Sequence, residues 1–326
     1  MNNSEKFLIT GAMGCIGAWV VRHLLDEGTK FVATDLSDNP ARPRLIMSDA
    51  EIAAVTWQKL DITDAGAVDA AVKDQGITHI VHLAGLQIPF CRANPSLGAA
   101  VNVQGTVNVL EAARHNGISG LSYASSLAAL GPPHLYPRMP VPNDAPTAPT
   151  TLYGVYKVAN EETARIYWQD WQVGSIGLRP YNVYGVGRDQ GVTADIAKAI
   201  LATAAGQPFH IRYGGPLALQ HASDVAKMFM TSARARHQGA VVCNLRNDVT
   251  TVEAFVDLLT QLYPHAEVTN DSSNLLPFPA DLDDTILRSL ITDVPHTPLT
   301  DAIQEDYDMY RILIDARRIN LEQLKL

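Results

Sequence analysis

The stretch "FLITGAMGCIGAWVV", residues 7–21, restricts the fold more than any other part of the chain. A β-rich apolar run leads into three glycines, and residues with helical apolar spacing follow them. In such a unit Gly11 permits a tight turn, Gly14 permits close approach of a pyrophosphate, and Gly17 permits close helix packing. The phosphates would meet backbone N–H groups at the positive end of the helix dipole. The stretch therefore predicts a dinucleotide site, with a glycine-rich turn that binds nothing as the alternative.

The same alternation of elements continues through the first half of the chain. Short β-rich runs alternate with longer runs of helical period, which predicts βαβ units around a parallel sheet. The strand candidates are "KFLIT", "KFVATD", "VTWQKL", "HIVHLAG", "GLSYASS" and "GSIGLRP". We predict an α/β fold with a Rossmann-type doubly wound parallel sheet and a smaller C-terminal substrate-binding lobe.

The domain division is predicted from where this alternation becomes irregular. We place the dinucleotide-binding domain at residues 1–182, with return segments near 209–245, and the mainly substrate-binding lobe at 183–326. The proline-dense residues 131–150 cannot form a regular element and are expected to be a long loop that walls the substrate.

Composition narrows the class of ligand. With 47% hydrophobic and 18% charged residues, the 326-residue chain has the profile of a soluble globular protein without a membrane segment. The net charge of −9 disfavours nucleic acid and anionic lipid and leaves a small-molecule partner. Three widely separated cysteines argue against disulfides and a metal site, so we expect a cytoplasmic protein.

Two acidic residues follow the glycine turn at strand ends. Asp35 stands where a carboxylate accepts hydrogen bonds from adenosine ribose hydroxyls and repels a 2′-phosphate, which favours NAD over NADP. Arg42 and Arg44 lie nearby and are interpreted as solvated side chains. Asp61 is interpreted either as a partner of the adenine amino group or as a helix N-cap.

Tyr153 and Lys157 stand four residues apart in "LYGVYK". Because four residues make just over one helical turn, both side chains leave the same face of a helix. Such a pair also occurs by chance on helix surfaces, so the spacing alone does not establish a site.

In order along the chain, "TGAMGCIG", "HLAG", "VNVQGT", "SSLAALG", "YGVYK" and "RPYNVYG" resemble the motifs of the extended short-chain dehydrogenase/reductases, the NAD-dependent epimerase/dehydratase family. The resemblance implies NAD as cofactor and Ser126, Tyr153 and Lys157 as catalytic residues. It implies a cofactor site made of Gly11, Met13, Gly14, Cys15, Ile16, Gly17, Asp35, Asp61, Ile62, Leu83, Ala84, Gly85, Asn102, Tyr153, Lys157 and Tyr181. It implies substrate contacts from Gln87, Ser125, Ser126, Asn182 and Arg188.

This resemblance gives the tyrosine–lysine spacing a chemical meaning. We expect Lys157 to lower the pKa of the Tyr153 phenol from about 10 and to reach the nicotinamide ribose. Ser126 would hold the substrate oxygen while Tyr153 takes the hydroxyl proton and hydride leaves for NAD. His82 is interpreted as a packed strand residue, and Asn102 as a residue that structures its helix.

The sequence departs from the family at the substrate site. Nucleotide-sugar members carry a segment resembling "RDYIHVDDVA", whose arginine meets the diphosphate, whereas "LALQHASDVA" here begins with Leu217. His221, Asp224, Val225 and Ala226 match that segment, and Arg212 or Arg188 is a candidate substitute for the arginine. Arg92 is interpreted either as a carboxylate partner or as an exposed helix residue.

Three functions remain open. We favour a dehydrogenase acting on a small sugar, sugar acid or hydroxy acid in carbohydrate metabolism, since these need no diphosphate clamp. A UDP-glucose 4-epimerase-like enzyme and a non-catalytic NAD-sensing protein are the alternatives. A dehydratase is disfavoured because Leu127 and Ala128 follow Ser126, where an acidic pair is usual. The resemblance also implies a homodimer formed by the helices that carry "VNVQGTVNVLEAA" and Tyr153.

Overall fold

The fold is described from a computed structural model, which covers residues 5–324. Its strands are β1 (Lys6–Thr10), β2 (Lys30–Asp35), β3 (Trp57–Lys59), β4 (His79–His82), β5 (Gly120–Ala124), β6 (Ser175–Arg179), β7 (Asn182–Tyr184), β8 (Phe209–Ile211), β9 (Pro216–His221), β10 (Ala240–Asn244), β11 (Asp248–Thr251) and β12 (Val268–Asn270).

The helices are α1 (Cys15–Asp26), α2 (Pro43–Ile46), α3 (Asp49–Ala54), α4 (Ala65–Asp74), α5 (Ile88–Ala93), α6 (Pro95–Ala99), α7 (Gly105–His115), α8 (Leu152–Trp171), α9 (Asp195–Ala205), α10 (Ala222–Arg234), α11 (Val252–Leu262), α12 (Thr285–Leu290) and α13 (Leu299–Asp315). A π-helix (Ala100–Gln104) joins α6 to α7.

Seven parallel strands form the main sheet in the order β10-β6-β5-β4-β1-β2-β3. The order reverses between β1 and β4, which creates a crevice at the carboxyl ends of the strands. All six strands predicted in the first half of the chain are found in this sheet. The doubly wound parallel sheet predicted from the sequence is confirmed.

Helices cover both faces of the sheet because successive strand residues point in opposite directions. In β1, Phe7 and Ile9 pack into a core with residues of α1, α9 and α10, while Leu8 packs into a second core with residues of α4, α7 and α8. No helix within residues 5–324 is long and apolar enough to cross a membrane.

Two small sheets lie outside the main one. Strand β9 pairs with β7 and β11, and β8 pairs with β12. Of the return segments predicted near 209–245, residues 240–244 supply the seventh strand of the main sheet as β10. The division into two domains stays a prediction. Residues 131–150 form the expected long irregular loop, which continues to Thr151 and contains a short 3-10 turn at Pro133–Leu135 and an isolated β-bridge between Val141 and Leu282.

Candidate active site

The glycine turn between β1 and α1 leaves no room for side chains. Gly11 has φ of +73°, and a Cβ on it would lie 2.6 Å from the backbone nitrogen of Ala84. A Cβ on Gly17 would overlap the Gly11 carbonyl oxygen and lie 2.8 Å from the Ala12 Cα. The N-cap of α1 is Gly14, which supplies no side-chain cap, and the first turn of the helix has no acidic residue. This bare, positively polarised helix end fits a dinucleotide pyrophosphate.

Asp35 ends β2 beside this turn. Its Oδ2 accepts a hydrogen bond from the Met13 backbone N–H at 2.9 Å, and its Oδ1 accepts one from the Ser37 N–H at 3.0 Å. The half-buried carboxylate lines a cavity of about 260 Å³ whose walls include Trp57 and Lys59. The position suits acceptance of ribose hydroxyl groups and repels an added phosphate.

The two arginines after Asp35 both carry ion pairs. Arg42 donates to Asp189 Oδ1 through Nε at 3.0 Å and Nη2 at 2.8 Å, so it is not the solvated side chain that the sequence suggested. Arg44 is 57% exposed and lies 3.4 Å from Asp49. The Arg42–Asp189 pair joins the loop after β2 to the loop after β7.

Asp61 is exposed and binds its own loop. Its Oδ1 accepts from the Thr63 N–H at 2.9 Å and from the Thr63 hydroxyl at 2.7 Å. The N-cap of α4 is Asp64, which accepts from the Ala67 N–H. The capping interpretation of Asp61 is therefore wrong, and the adenine contact stays a prediction.

His82 organises the turn after β4. Its Nδ1 lies 2.7 Å from Thr10 Oγ1 and its Nε2 lies 3.1 Å from Thr106 Oγ1. Burial lowers the pKa of His82 to about 3, so the ring is neutral. Thr10 Oγ1 also accepts from the N–H groups of Leu83 and Ala84, each at 3.2 Å. The residue is the packed strand histidine that we predicted.

Asn102 lies in the π-helix and holds the next part of the same loop. Its Oδ1 accepts from the Leu86 N–H at 2.7 Å, and its Nδ2 donates to the Leu86 carbonyl at 2.9 Å and to Cys91 Sγ at 3.2 Å. A Cβ on Gly85 would lie 3.0 Å from Asn102 Oδ1. The Asn102 amide therefore holds the loop after β4, and its contact with a cofactor stays a prediction.

Tyr153 and Lys157 leave the first turns of α8, whose start is capped by Thr151 accepting from the Gly154 N–H at 3.1 Å. Lys157 Nζ lies 5.4 Å from the centroid of the Tyr153 ring. The ammonium also donates to the Ala124 carbonyl at the end of β5 at 2.6 Å, and its side chain is buried. Helix α8 therefore brings a phenol and a cation to the carboxyl edge of the sheet.

The structure corrects the expected pKa of the phenol. Burial raises the pKa of Tyr153, and a hydrogen bond with Ser126 and the charge of Arg188 oppose that rise. Burial lowers the pKa of Lys157 to about 8. The expectation that Lys157 lowers the Tyr153 pKa below its ordinary value is wrong, because burial outweighs the opposing contributions, which come from Ser126 and Arg188.

Ser125 differs from its neighbour Ser126. Ser126 is half-buried and its Oγ accepts from the Ala128 N–H at 3.1 Å, at the start of a 3-10 turn. Ser125 is buried, and its hydroxyl donates to the Glu161 carboxylate. This hydroxyl joins the buried ion pair of Glu161 with Arg179, and the contact of Ser125 with substrate stays a prediction. Neither charged residue was singled out from the sequence, since their separation there gives no sign of contact.

Arg188 and Gln87 approach each other across the site. A Cβ on Gly191 would lie 3.5 Å from Gln87 Oε1 and 3.6 Å from Arg188 Nη2. Arg188 Nη2 donates to Thr193 Oγ1 at 3.0 Å, while its buried Nε has no hydrogen-bond partner within residues 5–324. The charge of Arg188 opposes the rise that burial causes in the Tyr153 pKa.

Asn182 is fully buried. Neither its amide oxygen nor its amide nitrogen makes a hydrogen bond of good geometry among the described residues. The Tyr181 hydroxyl is also buried and unpartnered in that part of the chain. Tyr213 adjoins Asn182 and contacts the Thr193 carbonyl at 3.5 Å. Buried polar groups without partners are costly, so this cluster is suited to a polar ligand. Tyr213 was missed because "FHIRYGG" signals only a strand and a turn.

The residues considered as partners of an anionic substrate differ in their surroundings. Leu217 is fully buried in the hydrophobic core. Arg212 donates to the buried Asp195 through Nε at 2.9 Å and Nη2 at 2.7 Å. Arg92 is exposed in the last turn of α5, as one of its two interpretations expected. Of the two candidate substitutes, only Arg188 keeps an uncommitted buried nitrogen.

Two of the four residues that match the nucleotide-sugar segment, His221 and Asp224, have structural partners. His221 Nε2 lies 3.3 Å from Asp306 Oδ1, and both side chains are buried. Asp224 accepts from the Thr297 backbone N–H at 2.6 Å and from its hydroxyl at 3.1 Å. Both residues therefore tie elements of the fold together.

The chain belongs to the NAD dependent epimerase/dehydratase family, whose model matches residues 7–244. This match confirms the resemblance seen in the sequence and the prediction of NAD as cofactor. The UDP-glucose 4-epimerase of Mycolicibacterium smegmatis is 32% identical over 204 residues, which are 60% of this chain and 63% of that protein. The matched region spans about 60% of the length of the first curated relatives.

Solved structures show the same fold at lower identity. L-threonine dehydrogenase from Cupriavidus necator is 21% identical with a TM-score of 0.81, over 94% of this chain and 99% of that one. The UDP-glucose 4-epimerase of Thermus thermophilus, in complex with NAD, is 21% identical with a TM-score of 0.75 over the same shares. These structures share the doubly wound sheet and differ in their named activities.

Proposed function

We propose that the protein is an NAD-dependent dehydrogenase that oxidises a secondary hydroxyl of a small sugar, sugar acid or hydroxy acid. The observation that carries this proposal is the meeting of Tyr153, Lys157 and Ser126 at the carboxyl edge of the sheet. Ligands of open α/β sheets bind at this edge, next to the point where the strand order reverses.

Each catalytic residue has a defined part in the oxidation. Ser126 donates a hydrogen bond to the substrate oxygen, and Tyr153 takes the hydroxyl proton so that the same carbon can release hydride. NAD, when bound, supplies the hydride acceptor. The charge of Arg188 favours the phenolate against burial, and the phenolate is the form that accepts a proton. Lys157, whose Nζ lies 5.4 Å from the centroid of the Tyr153 ring, is assigned to the nicotinamide ribose.

The dinucleotide is held by the glycine turn and by the loops beside it. Asp35 binds the adenosine ribose, and the bare start of α1 binds the pyrophosphate. The proposed cofactor residues are Gly11, Met13, Gly14, Cys15, Ile16, Gly17, Asp35, Asp61, Ile62, Leu83, Ala84, Gly85, Asn102, Tyr153, Lys157 and Tyr181.

Arg188 favours a substrate with a carboxylate. Its unpartnered Nε and the buried amide of Asn182 offer polar contacts, and Gln87 Oε1 lies near Arg188 Nη2 beside Gly191. A guanidinium matches a carboxylate in shape and charge. A nucleoside diphosphate lacks its usual partner here, because Leu217 belongs to the core and Arg212 is bound to Asp195.

The second candidate is a nucleotide-sugar 4-epimerase, which the likeness to the M. smegmatis enzyme favours. Such an enzyme would retain NAD and show no net reduction. A non-catalytic NAD-sensing protein is the third candidate, and the converging trio argues against it.

We also propose a homodimer. Phe90, Leu97, Leu152 and Val155 expose between 43% and 48% of their surface on neighbouring helices α5, α6 and α8. Apolar surface of this kind suits a two-fold helical interface. Sedimentation equilibrium is expected to give twice the 35.3 kDa chain mass, and a monomer at all concentrations would refute the dimer.

The function is tested by incubating the protein with NAD and panels of sugar acids, hydroxy acids, aldoses and UDP-sugars. We expect NADH absorbance with a hydroxylated acid, and a Tyr153→Phe variant is expected to lose about 100-fold or more in rate. Tyr156→Phe, also on α8, is the matched control, since the Tyr156 hydroxyl donates to the Pro95 carbonyl of α6. Epimerised UDP-sugar without an absorbance change would overturn the dehydrogenase proposal.

A further inference from the structure

A buried ion pair stands directly behind the catalytic residues. Arg179, at the end of β6, donates to Glu161 of α8 through Nε at 2.8 Å and through Nη2 at 2.7 Å. The two side chains are 5% and 6% exposed. Burial of such a pair is weak evidence for stability, because desolvation offsets much of the attraction. The contacts around the pair indicate a role other than stabilisation.

Two successive turns of helix α8 make hydrogen bonds with the end of β5. Lys157 Nζ donates to the Ala124 carbonyl at 2.6 Å, and one turn later Glu161 accepts from the Ser125 hydroxyl. Ser126 is the next residue of the strand end. The two contacts therefore fix the register between the helix that carries the phenol and the strand that carries the catalytic serine.

The Nη1 atom of the Arg179 guanidinium contacts the long loop and strand β10. Arg179 Nη1 donates to the Asn143 carbonyl at 3.3 Å and to Asn244 Oδ1 at 3.2 Å, and the Asn244 N–H donates to Asn143 Oδ1 at 2.7 Å. Asn143 belongs to the long loop 131–151. Immediately after Arg179, the Pro180 carbonyl accepts from the Leu127 N–H at 3.1 Å.

We propose that Glu161 and Arg179 are positioning residues that set the distance between Ser126 and the Tyr153–Lys157 pair and dock the long loop against the site. The proposal rests on the catalytic roles proposed above. Displacement of a reacting group by about 1 Å can cost about 100-fold in rate, so a fixed register between α8 and β5 has a direct catalytic value.

The carboxylate also acts on the catalytic cation through space. Burial lowers the pKa of Lys157, and Cys91 and Glu161 oppose that shift. The remaining titratable neighbours are Tyr153, under the ammonium, and His82, which burial keeps neutral. Loss of the Glu161 charge therefore makes Lys157 lose its proton at lower pH.

The test compares Glu161→Gln with Glu162→Gln, a matched control whose exposed side chain pairs with Arg165. With NAD and the most active acid of the panel, Glu161→Gln is expected to lower kcat at least about tenfold. NAD affinity, measured by titration calorimetry, stays within about twofold of the parent. The alkaline limb of the pH–rate profile moves to lower pH. Glu162→Gln leaves all three quantities unchanged.

Docking of the long loop can be measured without a substrate. Trypsin cleavage after the exposed Arg138 is expected to be at least about fivefold faster in Glu161→Gln than in Glu162→Gln. Ser125→Ala, which keeps the ion pair but releases the strand end, is expected to lower kcat and leave cleavage unchanged. This variant decides the question if Glu161→Gln does not fold.

Parent values of kcat, pH profile and cleavage rate in folded Glu161→Gln, or parent kcat in Ser125→Ala, would overturn the positioning role. An equal loss in Glu162→Gln would overturn it as well. Full turnover by Tyr153→Phe would instead defeat the proposed function, and the cleavage assay would still report on the loop.

Discussion

Replacing Lys157 by methionine should stabilise the fold while abolishing turnover. Burial holds the pKa of Lys157 at about 8 instead of 10.5, so the charged form costs the folded state about 3 kcal/mol. Methionine has a similar length and no charge. It also loses the hydrogen bond to the Ala124 carbonyl, which is worth about 1 kcal/mol. The variant should therefore be more stable by about 2 kcal/mol at pH 7.

The same reasoning gives the dependence on pH. Between pH 8 and 10.5 the folded parent has lost the Lys157 proton while the unfolded chain keeps it, so the stability of the parent rises with pH over this range. The variant lacks that rise, and its advantage should vanish near pH 10. Urea unfolding followed by circular dichroism at pH 7 and pH 10 measures both differences. Lys73→Met, on the exposed side of α4, is the control and should change stability by less than about 0.5 kcal/mol.

A variant less stable than the parent at pH 7 would refute this account of a buried cation. So would an advantage of equal size at both pH values, because it would have to arise from packing rather than from the ionisation of Lys157.

Three further substitutions test the site. Gly17→Ala places a methyl group against the Gly11 carbonyl and should weaken NAD binding at least about tenfold in calorimetry; unchanged affinity would contradict the described turn. Asp35→Ser removes the carboxylate that repels a 2′-phosphate and leaves Lys59 on the cavity wall. The ratio of NADP affinity to NAD affinity should therefore rise at least about tenfold. A constant ratio would count against the ribose contact. Leu217→Arg places a charge in the hydrophobic core and should destabilise the fold by about 3 kcal/mol or more in urea unfolding. It should not add UDP-sugar binding. A stable variant that binds UDP-glucose would show that this position does not belong to the core.

Local patterns explain what could be predicted from the sequence. The glycine turn, the strand alternation and the Tyr153–Lys157 spacing each involve residues close in the chain, where backbone geometry decides which side chains meet. Asp35 was found for the same reason, because it ends the strand that follows the first helix.

Contacts between distant residues could not be found in this way. Arg212 donates to Asp195, 17 residues earlier, and the Ser125 hydroxyl donates to Glu161, 36 residues later, and neither contact leaves a pattern in the sequence. The pKa of Tyr153 depends on burial by several elements, which no spacing along one helix encodes.

The π-helix that contains Asn102 restricts how the length of this region can change. Its hydrogen bonds reach one residue further than those of an α-helix, so the segment Ala100–Gln104 accommodates an inserted residue. Deleting one residue there would restore the ordinary ladder and turn the preceding helix by about 100° against the following one. The Asn102 amide would then leave the Leu86 backbone, so a chain that lost this residue would need another anchor for the loop.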